Sequence, residues 1–348
     1  MKLRLDARYI PLLASAAVLA VLYAVGLAAF HDRGFGSLSV LADLFRDENA
    51  VLGIAAIGTT LVIISGGIDL SVGSVVAFSS ILIATLCFDP QLDPRVVGNV
   101  SQVLPHGLHP LPAIAIALAA GTLFGAGMGC LIHFFKLPPF LVTLGGMFFA
   151  RGMAFMIKSE SLSIKHPFYA VTVQDTLRFS LTPDVDVPLS TICLLVLLAG
   201  GMYLAHFRKF GRNIYAVGGD EKSAVLMGLP VGRTKVLVYT LAGLCSAAAG
   251  VVYTFSVQKG DPLNAGMGLE LDAIAATVIG GTLLSGGVGY LAGTLMGVLI
   301  FGLIQTLITN KGTLSSWWTS IAIGTLVLVF ILLQNIVVAV SRKSARQA

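Results

Sequence analysis

Two charged side chains lie inside apolar stretches of this sequence, and each could bind or steer a solute there. Asp69 occupies Ser65-Gly66-Gly67-Ile68-Asp69-Leu70-Ser71-Val72-Gly73, between uncharged apolar runs at 51–64 and 75–87. A charge at membrane depth costs about 3 kcal/mol or more unless it faces a cavity or a partner. Asp69 is therefore either a ligand for a substrate or ion, or the cap of the helix that follows, taking backbone N–H bonds near Ser71 and Val72. The glycines and serines around it let the backbone leave a helix and still find hydrogen bonds. Arg151, in Phe149-Ala150-Arg151-Gly152, is the second such charge. It snorkels to the outer surface, lines a pathway or pairs with a carboxylate of another span. Glu270 and Asp272 open a later apolar run, where acidic side chains suit the positive end of a helix.

Bond-breaking chemistry has no comparable signal. No Gly-Lys dipeptide occurs, so there is no Walker A phosphate loop, and His-Glu-x-x-His and Gly-x-Ser-x-Gly are also missing. His106 and His109 stand three apart in a proline-rich stretch, as a metal pair or as solvated loop residues. Cys87, Cys130, Cys193 and Cys245 each sit alone in an apolar segment, a pattern of packed thiols rather than of disulfides or a zinc site. The sequence thus gives no catalytic residue, no metal site and no cofactor on this chain.

The elements that must position Asp69 and Arg151 are membrane spans. Of 348 residues, 56% are hydrophobic and 11% charged, whereas a soluble domain has about 25% charged. Mean hydropathy is +0.90. At roughly 20 residues per crossing, apolar runs at 9–30, 50–65, 70–88, 113–133, 138–157, 188–207, 236–257, 271–284, 288–309 and 314–340 predict about ten transmembrane helices. The expected fold is all-α and polytopic, a single transmembrane domain over 1–348. The net charge of +5 lies in the loops, as the positive-inside rule requires, which excludes a nucleic-acid partner. Lys2, Arg4 and Arg8 precede a first run too long for a signal peptide, and place 1–8 in the cytoplasm. The 208–235 loop carries Arg208, Lys209, Arg212, Lys222, Arg233 and Lys235 against Asp220 and Glu221, so it too is cytoplasmic. Counting spans from an inside N-terminus gives the same answer. Prolines 90, 94, 105, 110 and 112 mark an outer loop over 89–112, and mixed charge marks a second over 158–187. The 258–270 connection is also outer. Trp317 and Trp318 suit the outer interface, and Arg342, Lys343 and Arg346 close a cytoplasmic tail over 341–348.

An internal echo accompanies this pattern. Gly66-Gly67-Ile68-Asp69-Leu70-Ser71-Val72-Gly73 and Gly280-Gly281-Thr282-Leu283-Leu284-Ser285-Gly286-Gly287 both read Gly-Gly-x-x-Leu-Ser-x-Gly, each near the junction of two spans. A two-fold internal repeat would place paired broken helices beside a solute path; Gly/Leu/Ser-rich sequence also produces such matches by chance. Leu283 stands where the first copy has Asp69, so the two are chemically unequal. The glycines Gly66, Gly67, Gly73, Gly280 and Gly281, with Ser71 and Ser285, are candidate hinge or path-shaping residues, with Asp69 a cap at the bend.

Within the basic loop, Gly218 and Gly219 suggest a turn. Asp220 would N-cap a short helix carrying Ala224, Val225, Leu226 and Met227, which Gly228 ends and Pro230 prevents from continuing. Such a helix suits a groove in a soluble partner, or else rests on the membrane surface.

Four segments resemble the permease subunits of ribose-type carbohydrate-uptake ABC importers, in the family's order: Gly66 to Gly73; Pro139-Phe140-Leu141-Val142-Thr143-Leu144-Gly145-Gly146-Met147 through Gly152; Gly211 to Gly228; and Glu270-Leu271-Asp272-Ala273-Ile274-Ala275 through Thr282. The details at 280–289 and 312–318 look most like the galactofuranose-importing branch. The resemblance implies a ten-span subunit of a bacterial inner membrane. It would pair with a second permease (a paralogue or itself), ABC ATPase subunits that bind ATP and Mg, and a periplasmic sugar-binding protein. It also implies that the Gly-Gly-x-x-x-x-Ala loop couples to the ATPase, a role that carries onto Gly218, Gly219, Ala224 and Gly228, with Asp220 where Asn is usual. The alternative class is an ion- or proton-coupled secondary transporter of a small polar solute, for which Asp69 is almost the sole coupling candidate.

Overall fold

A computed structural model describes residues 10–30, 35–45, 47–88, 107–169, 173, 179–182, 185–312, 315 and 317–347. The basic residues Lys2, Arg4 and Arg8, and Pro90, Pro94, Pro105 and His106 of the first outer loop, lie outside the described residues, as do Asp175, Arg178 and Asp184 of the second and the side chains of Arg342, Lys343 and Arg346.

Helices dominate. Helix α1 spans Ile10–Ala29 and a short α2 spans Leu38–Asp43; α3 (Asp47–Ile64), α4 (Val72–Leu86), α5 (Pro110–Phe134), α6 (Pro139–Ile157) and α7 (Leu189–Phe207) follow. Two helices, α8 (Lys209–Gly219) and α9 (Glu221–Leu226), fill the basic loop, before α10 (Val231–Val257), α11 (Leu269–Ile279), α12 (Leu291–Lys311) and α13 (Trp317–Gln347). The strands are short: β1 (Leu162–Ser163), β2 (Phe179–Thr182), β3 (Val185–Val187) and β4 (Lys259–Gly260). Among the described residues, eight helices are long and apolar enough to cross a membrane.

The other two predicted spans are shorter than the apolar runs suggested. Helix α4 has 15 residues and α11 has 11, about 22 and 16 Å at 1.5 Å per residue, against roughly 30 Å of hydrocarbon. Non-helical backbone flanks each: residues 65–71 before α4, and 280–290 after α11. The glycines and serines around Asp69 predict the first break; past Ile279, apolar composition alone does not separate helix from extended chain, which is why the 271–284 run reads as helix to its end. Three more expectations change. Gly218 and Gly219 are the last residues of α8 rather than a turn. The 158–187 loop contains β1 and a β2–β3 hairpin, and β1 pairs antiparallel with β4 of the 258–270 connection, Leu162 opposite Gly260. The 341–348 tail continues α13 as far as Gln347.

Helix α3 is buried along most of its length, with α10, α7, α11 and α12 around it. With lipid as apolar as leucine, close backbone approach and interhelical hydrogen bonds hold such a bundle together. Gly121, Gly125 and Gly129, spaced by four on α5, lie against α10, where a Cβ on Gly125 would collide with the Tyr239 carbonyl and one on Gly129 would come 2.8 Å from Val236 Cα. Thr60 Oγ1 of α3 lies 2.7 Å from Thr294 Oγ1 of α12 and 3.1 Å from Thr277 Oγ1 of α11, a buried hydroxyl trio joining three helices. Thr60→Val leaves two hydroxyls without that partner; at roughly 0.6 kcal/mol per interhelical hydrogen bond in membranes, a loss of about 1 kcal/mol is expected, read as a lower unfolding midpoint in detergent.

Candidate functional site

Both breaks in the helices are built the same way. At the end of α3, the Gly66 N–H reaches the Ile63 carbonyl (2.9 Å) and the Gly67 N–H the Val62 carbonyl (3.0 Å), with Gly66 at φ 81°. At the end of α11, the Gly281 N–H reaches Val278 (2.9 Å) and the Thr282 N–H reaches Thr277 (3.1 Å), with Gly281 at φ 89°. Each is a Schellman closure, which needs a left-handed residue and so favours glycine. The equivalence is displaced by one position from the sequence echo, since Gly66 matches Gly280 there and Gly280 keeps a right-handed φ of −67°.

The closures meet. The Gly287 N–H donates to the Ile64 carbonyl at 2.9 Å, so the turn after α11 bonds to the last residue of α3. The end of α8 completes the junction. A Cβ on Gly218 would collide with the Ile64 carbonyl oxygen and come 2.8 Å from Gly287 N; one on Gly286 would lie 2.8 Å from Gly218 O and 2.9 Å from Gly66 Cα; and one on Gly287 would lie 2.7 Å from Gly219 Cα. Three backbones therefore touch through glycines. Tyr215 of α8 adds a hydrogen bond to the Gly289 carbonyl at 2.7 Å. Burial pushes its phenol up to about 12, so it stays a donor at every physiological pH. Of the other residues expected here, Gly280 ends α11 against the Gly293 carbonyl, Gly281 lies beside Pro11 of α1, and Ser285 is exposed on the turn.

From α8 the chain passes directly into α9. Asp220 Oδ1 accepts the N–H groups of Lys222 (2.9 Å) and Ser223 (3.3 Å), and Oδ2 accepts the Ser223 hydroxyl at 2.8 Å. The Ser223 hydroxyl, with these N–H groups, holds the Asp220 carboxyl below the usual carboxylate range. A depressed folded value means that the cap is fully formed above the ordinary carboxylate range and is lost only as pH falls through the lower folded one. Asp220→Ala, and not Asp220→Asn, is expected to speed amide exchange at Lys222 and Ser223, with no change in wild-type protection between pH 6 and 8. Gly228 (φ 74°) closes α9 with a third Schellman pair, Gly228 N–H to Val225 and Leu229 N–H to Ala224. Ala224 is buried against Val217 and Val231. Val225, Leu226 and Met227 face outward, Leu226 at 88% exposure. The expected helix is present, its apolar side turned away from the protein.

Asp69 is 1% exposed. Its Oδ1 accepts the Ser71 N–H (2.8 Å) and hydroxyl (2.7 Å), while Oδ2 has no partner among the described residues. It closes a turn ahead of α4 without reaching Val72; Ser71 is the N-cap residue, and its side chain bonds to no helix N–H. Gly73, in the first turn of α4, touches Gly266 and the Glu270 carboxylate. Glu270 and Asp272 lie in the first turn of α11, as their charge favours. Arg151 is half-buried and, among the described residues, forms no ion pair with a carboxylate. Its Nη1 donates to the carbonyls of Pro262 (2.9 Å) and Ala265 (3.0 Å) in the loop before α11. His109 caps α5 by accepting the Leu111 N–H at 3.3 Å and packs edge-on against His166.

Sequence reasoning missed Tyr215 and the Thr60 trio, which carry no local pattern; the Gly121-x-x-x-Gly125-x-x-x-Gly129 spacing was a readable signal of close helix packing.

Comparison with known proteins now adds to the geometry. Residues 48–332 match the family described as branched-chain amino acid transport system, permease component. The chain is 44% identical to the inner membrane ABC transporter permease protein YjfF of Escherichia coli K12, over 94% of this chain and 92% of that protein. It is 36% identical to the fructose import permease protein FruG of Bifidobacterium longum (97% and 94% covered) and 36% identical to the ribose import permease protein RbsC of Bacillus subtilis (82% of each). Solved structures give no significant match.

Proposed function

This chain belongs to the transport-system permease-component family, and we propose from that premise that it is the membrane subunit of an ATP-driven importer of a monosaccharide. It is a multi-pass inner-membrane protein, like its Escherichia coli relative. In our reading α4 and α11 complete ten crossings, with both termini cytoplasmic, and the path runs beside the breaks at 65–71 and 280–290. ATP and Mg belong to separate ATPase subunits, and this chain hydrolyses nothing. Helix α9 docks on those ATPases by Val225, Leu226 and Met227; the outer loops receive a periplasmic sugar-binding protein; and a second permease, a copy or a paralogue, completes the path. Galactofuranose is the first sugar to test, on the resemblance at 280–289 and 312–318, with ribose and fructose suggested by the relatives' names.

The observation that carries this reading is the glycine junction. Motion received at α9 passes along α8 to Gly218, which lies against both broken helices. A sugar is held by hydrogen bonds and stacking rather than by charge, consistent with so few ionisable groups near the breaks. The partnerless Oδ2 of Asp69 is what a proton-coupled carrier would use instead. Uptake in membrane vesicles separates the two. With ATP depleted and the proton gradient held, uptake is expected to fall to background; continued uptake would overturn the ABC reading and favour Asp69 as a coupling group.

A further inference from the structure

We propose that the elbow between α7 and α8 binds an anionic phospholipid of the cytoplasmic leaflet, its phosphate held by Arg208, Lys209 and Arg212 and its acyl chains lying along Tyr203 and Phe207. The site rests on the transport reading above for the side of the membrane it faces and for its use, though not for its geometry.

The elbow is a groove of two chemistries. Leu204, Phe207, Arg208, Lys209, Phe210 and Arg212 line it, three apolar and three basic side chains with no acid among them. Its apolar wall belongs to the end of α7, where the Tyr203 and Phe207 rings stack with centroids 6.1 Å apart. Both are exposed, at 48% and 74%, as aromatic side chains at a membrane–water interface are. Arg208 then leaves the helix in an extended conformation. Its guanidinium folds back over the Tyr203 ring, 4.9 Å from the centroid, and this cation–π contact holds the charge at the top of the apolar wall.

Helix α8 supplies the other two charges. Gly211, Ile214 and Val217 are its buried positions. A Cβ on Gly211 would collide with the Ala205 carbonyl, so the first turn of α8 lies hard against the last turn of α7. Lys209 and Arg212, three residues apart and so neighbours on the helix surface, stay exposed. Among the described residues, none of the three cations pairs with a carboxylate: Glu221 pairs with Lys235 at 2.7 Å, and Asp220 is engaged in capping α9. Arg208 gives α8 no side-chain cap, so the first N–H groups of the helix add to the positive potential.

Uncompensated cations beside an exposed apolar wall complement a ligand that is anionic at one end and apolar at the other. A free phosphate engages the cations alone, and an acidic protein surface only the rim that meets water; a phospholipid covers both. The far end of α8 carries Tyr215, bonded to the Gly289 carbonyl, and Gly218, packed on Ile64. A lipid seated at the first turn therefore steadies a lever whose other end lies on the glycine junction.

The test uses the full chain, purified in neutral detergent and titrated with phosphatidylglycerol, with bound lipid counted by native mass spectrometry. A basic residue near an anionic surface contributes about a fivefold factor, so Arg208→Gln, Lys209→Gln and Arg212→Gln should each weaken one retained lipid about fivefold and the triple variant about a hundredfold. Lys222→Gln with Arg233→Gln, basic residues of the same loop outside the groove, should leave that lipid bound. Tyr203→Leu should weaken it about threefold and Tyr203→Phe should not, since phenylalanine keeps the ring face. Excess soluble glycerophosphate should fail to displace it; displacement would make this a phosphate site and overturn the lipid. In vesicles, adding phosphatidylglycerol to phosphatidylcholine should raise uptake by the wild-type complex and not by the triple variant. Retention of the lipid by the triple variant refutes the proposal, and its retention together with loss of the ATPase would assign the groove to that partner. Absence of uptake by the wild-type complex, with the lipid still lost from the triple variant, would overturn the transport reading and leave the lipid site standing.

Discussion

Replacing Gly218 by valine is expected to stop uptake while the chain still inserts and α9 still docks. A Cβ at this position has no room: it collides with the Ile64 carbonyl and lies 2.8 Å from Gly287 N, the two atoms joined by the hydrogen bond between the breaks. Both obstacles are backbone, so no side-chain rotation can make space. Overpacking of this kind costs about 1–3 kcal/mol, and the cost falls on the contact that links α8 to α3 and the 283–288 turn. Sugar uptake in vesicles should drop by one to two orders of magnitude, while ATPase subunits still co-purify with the chain. Uptake at the wild-type rate would mean that the junction transmits nothing. Gly219, whose added Cβ meets open space, is the matched control: Gly219→Ala should be nearly silent, whereas Gly219→Pro, in the last turn of α8, should not.

Gly228→Pro should fail at the other end. Proline fixes φ near −65° and lacks an N–H, whereas Gly228 sits at φ 74° and donates to Val225. The substitution costs about 3 kcal/mol or more, enough to unseat the closure that sets the angle between α9 and α10. The exposed trio of Val225, Leu226 and Met227 would then point elsewhere, and the ATPase should be lost on purification together with uptake. Gly228→Ala faces only the left-handed penalty, roughly 1–2 kcal/mol, and should retain partial docking. Normal ATPase recovery with Gly228→Pro would remove α9 from the interface. On the proposed reading, the two glycines would separate docking from transmission: one variant would bind without transporting, and the other would do neither.

What could be read in advance follows the range of the forces involved. The short helix after Asp220 was legible because a cap, a left-handed terminator and a proline are local instructions, and each did what its chemistry dictates. The long spans were legible because lipid imposes composition over a full crossing. The break at 65–71 was legible in its glycines, serines and Asp69, whereas α11 was over-extended past Ile279, where the chain composition continues and only tertiary contacts decide the backbone. The pair Gly218-Gly219 was misread as a turn for the related reason that Gly218 serves packing: helix α8 keeps it because Ile64 and Gly287 leave no space for a Cβ, while Gly219 has open space beside it. The echo at 280–287 was visible, but its one-residue displacement was not, since either glycine of a pair can take the left-handed position. Arg151 was recognised as costly to bury, yet its partners are main-chain carbonyls, which no sequence pattern advertises.

The two-rung ladder between β1 and β4 has a mechanical meaning. It stitches the 158–187 loop to the chain one residue before Asp261, so the rim of the protein and the piece gripped by Arg151 share a seam. On the proposed reading, a load placed on the far loop by a soluble partner would reach Asp261 through Leu162–Gly260 and Ser163–Lys259. Because the seam has so few bonds, it is also where such a load peels first, long before any helix bends.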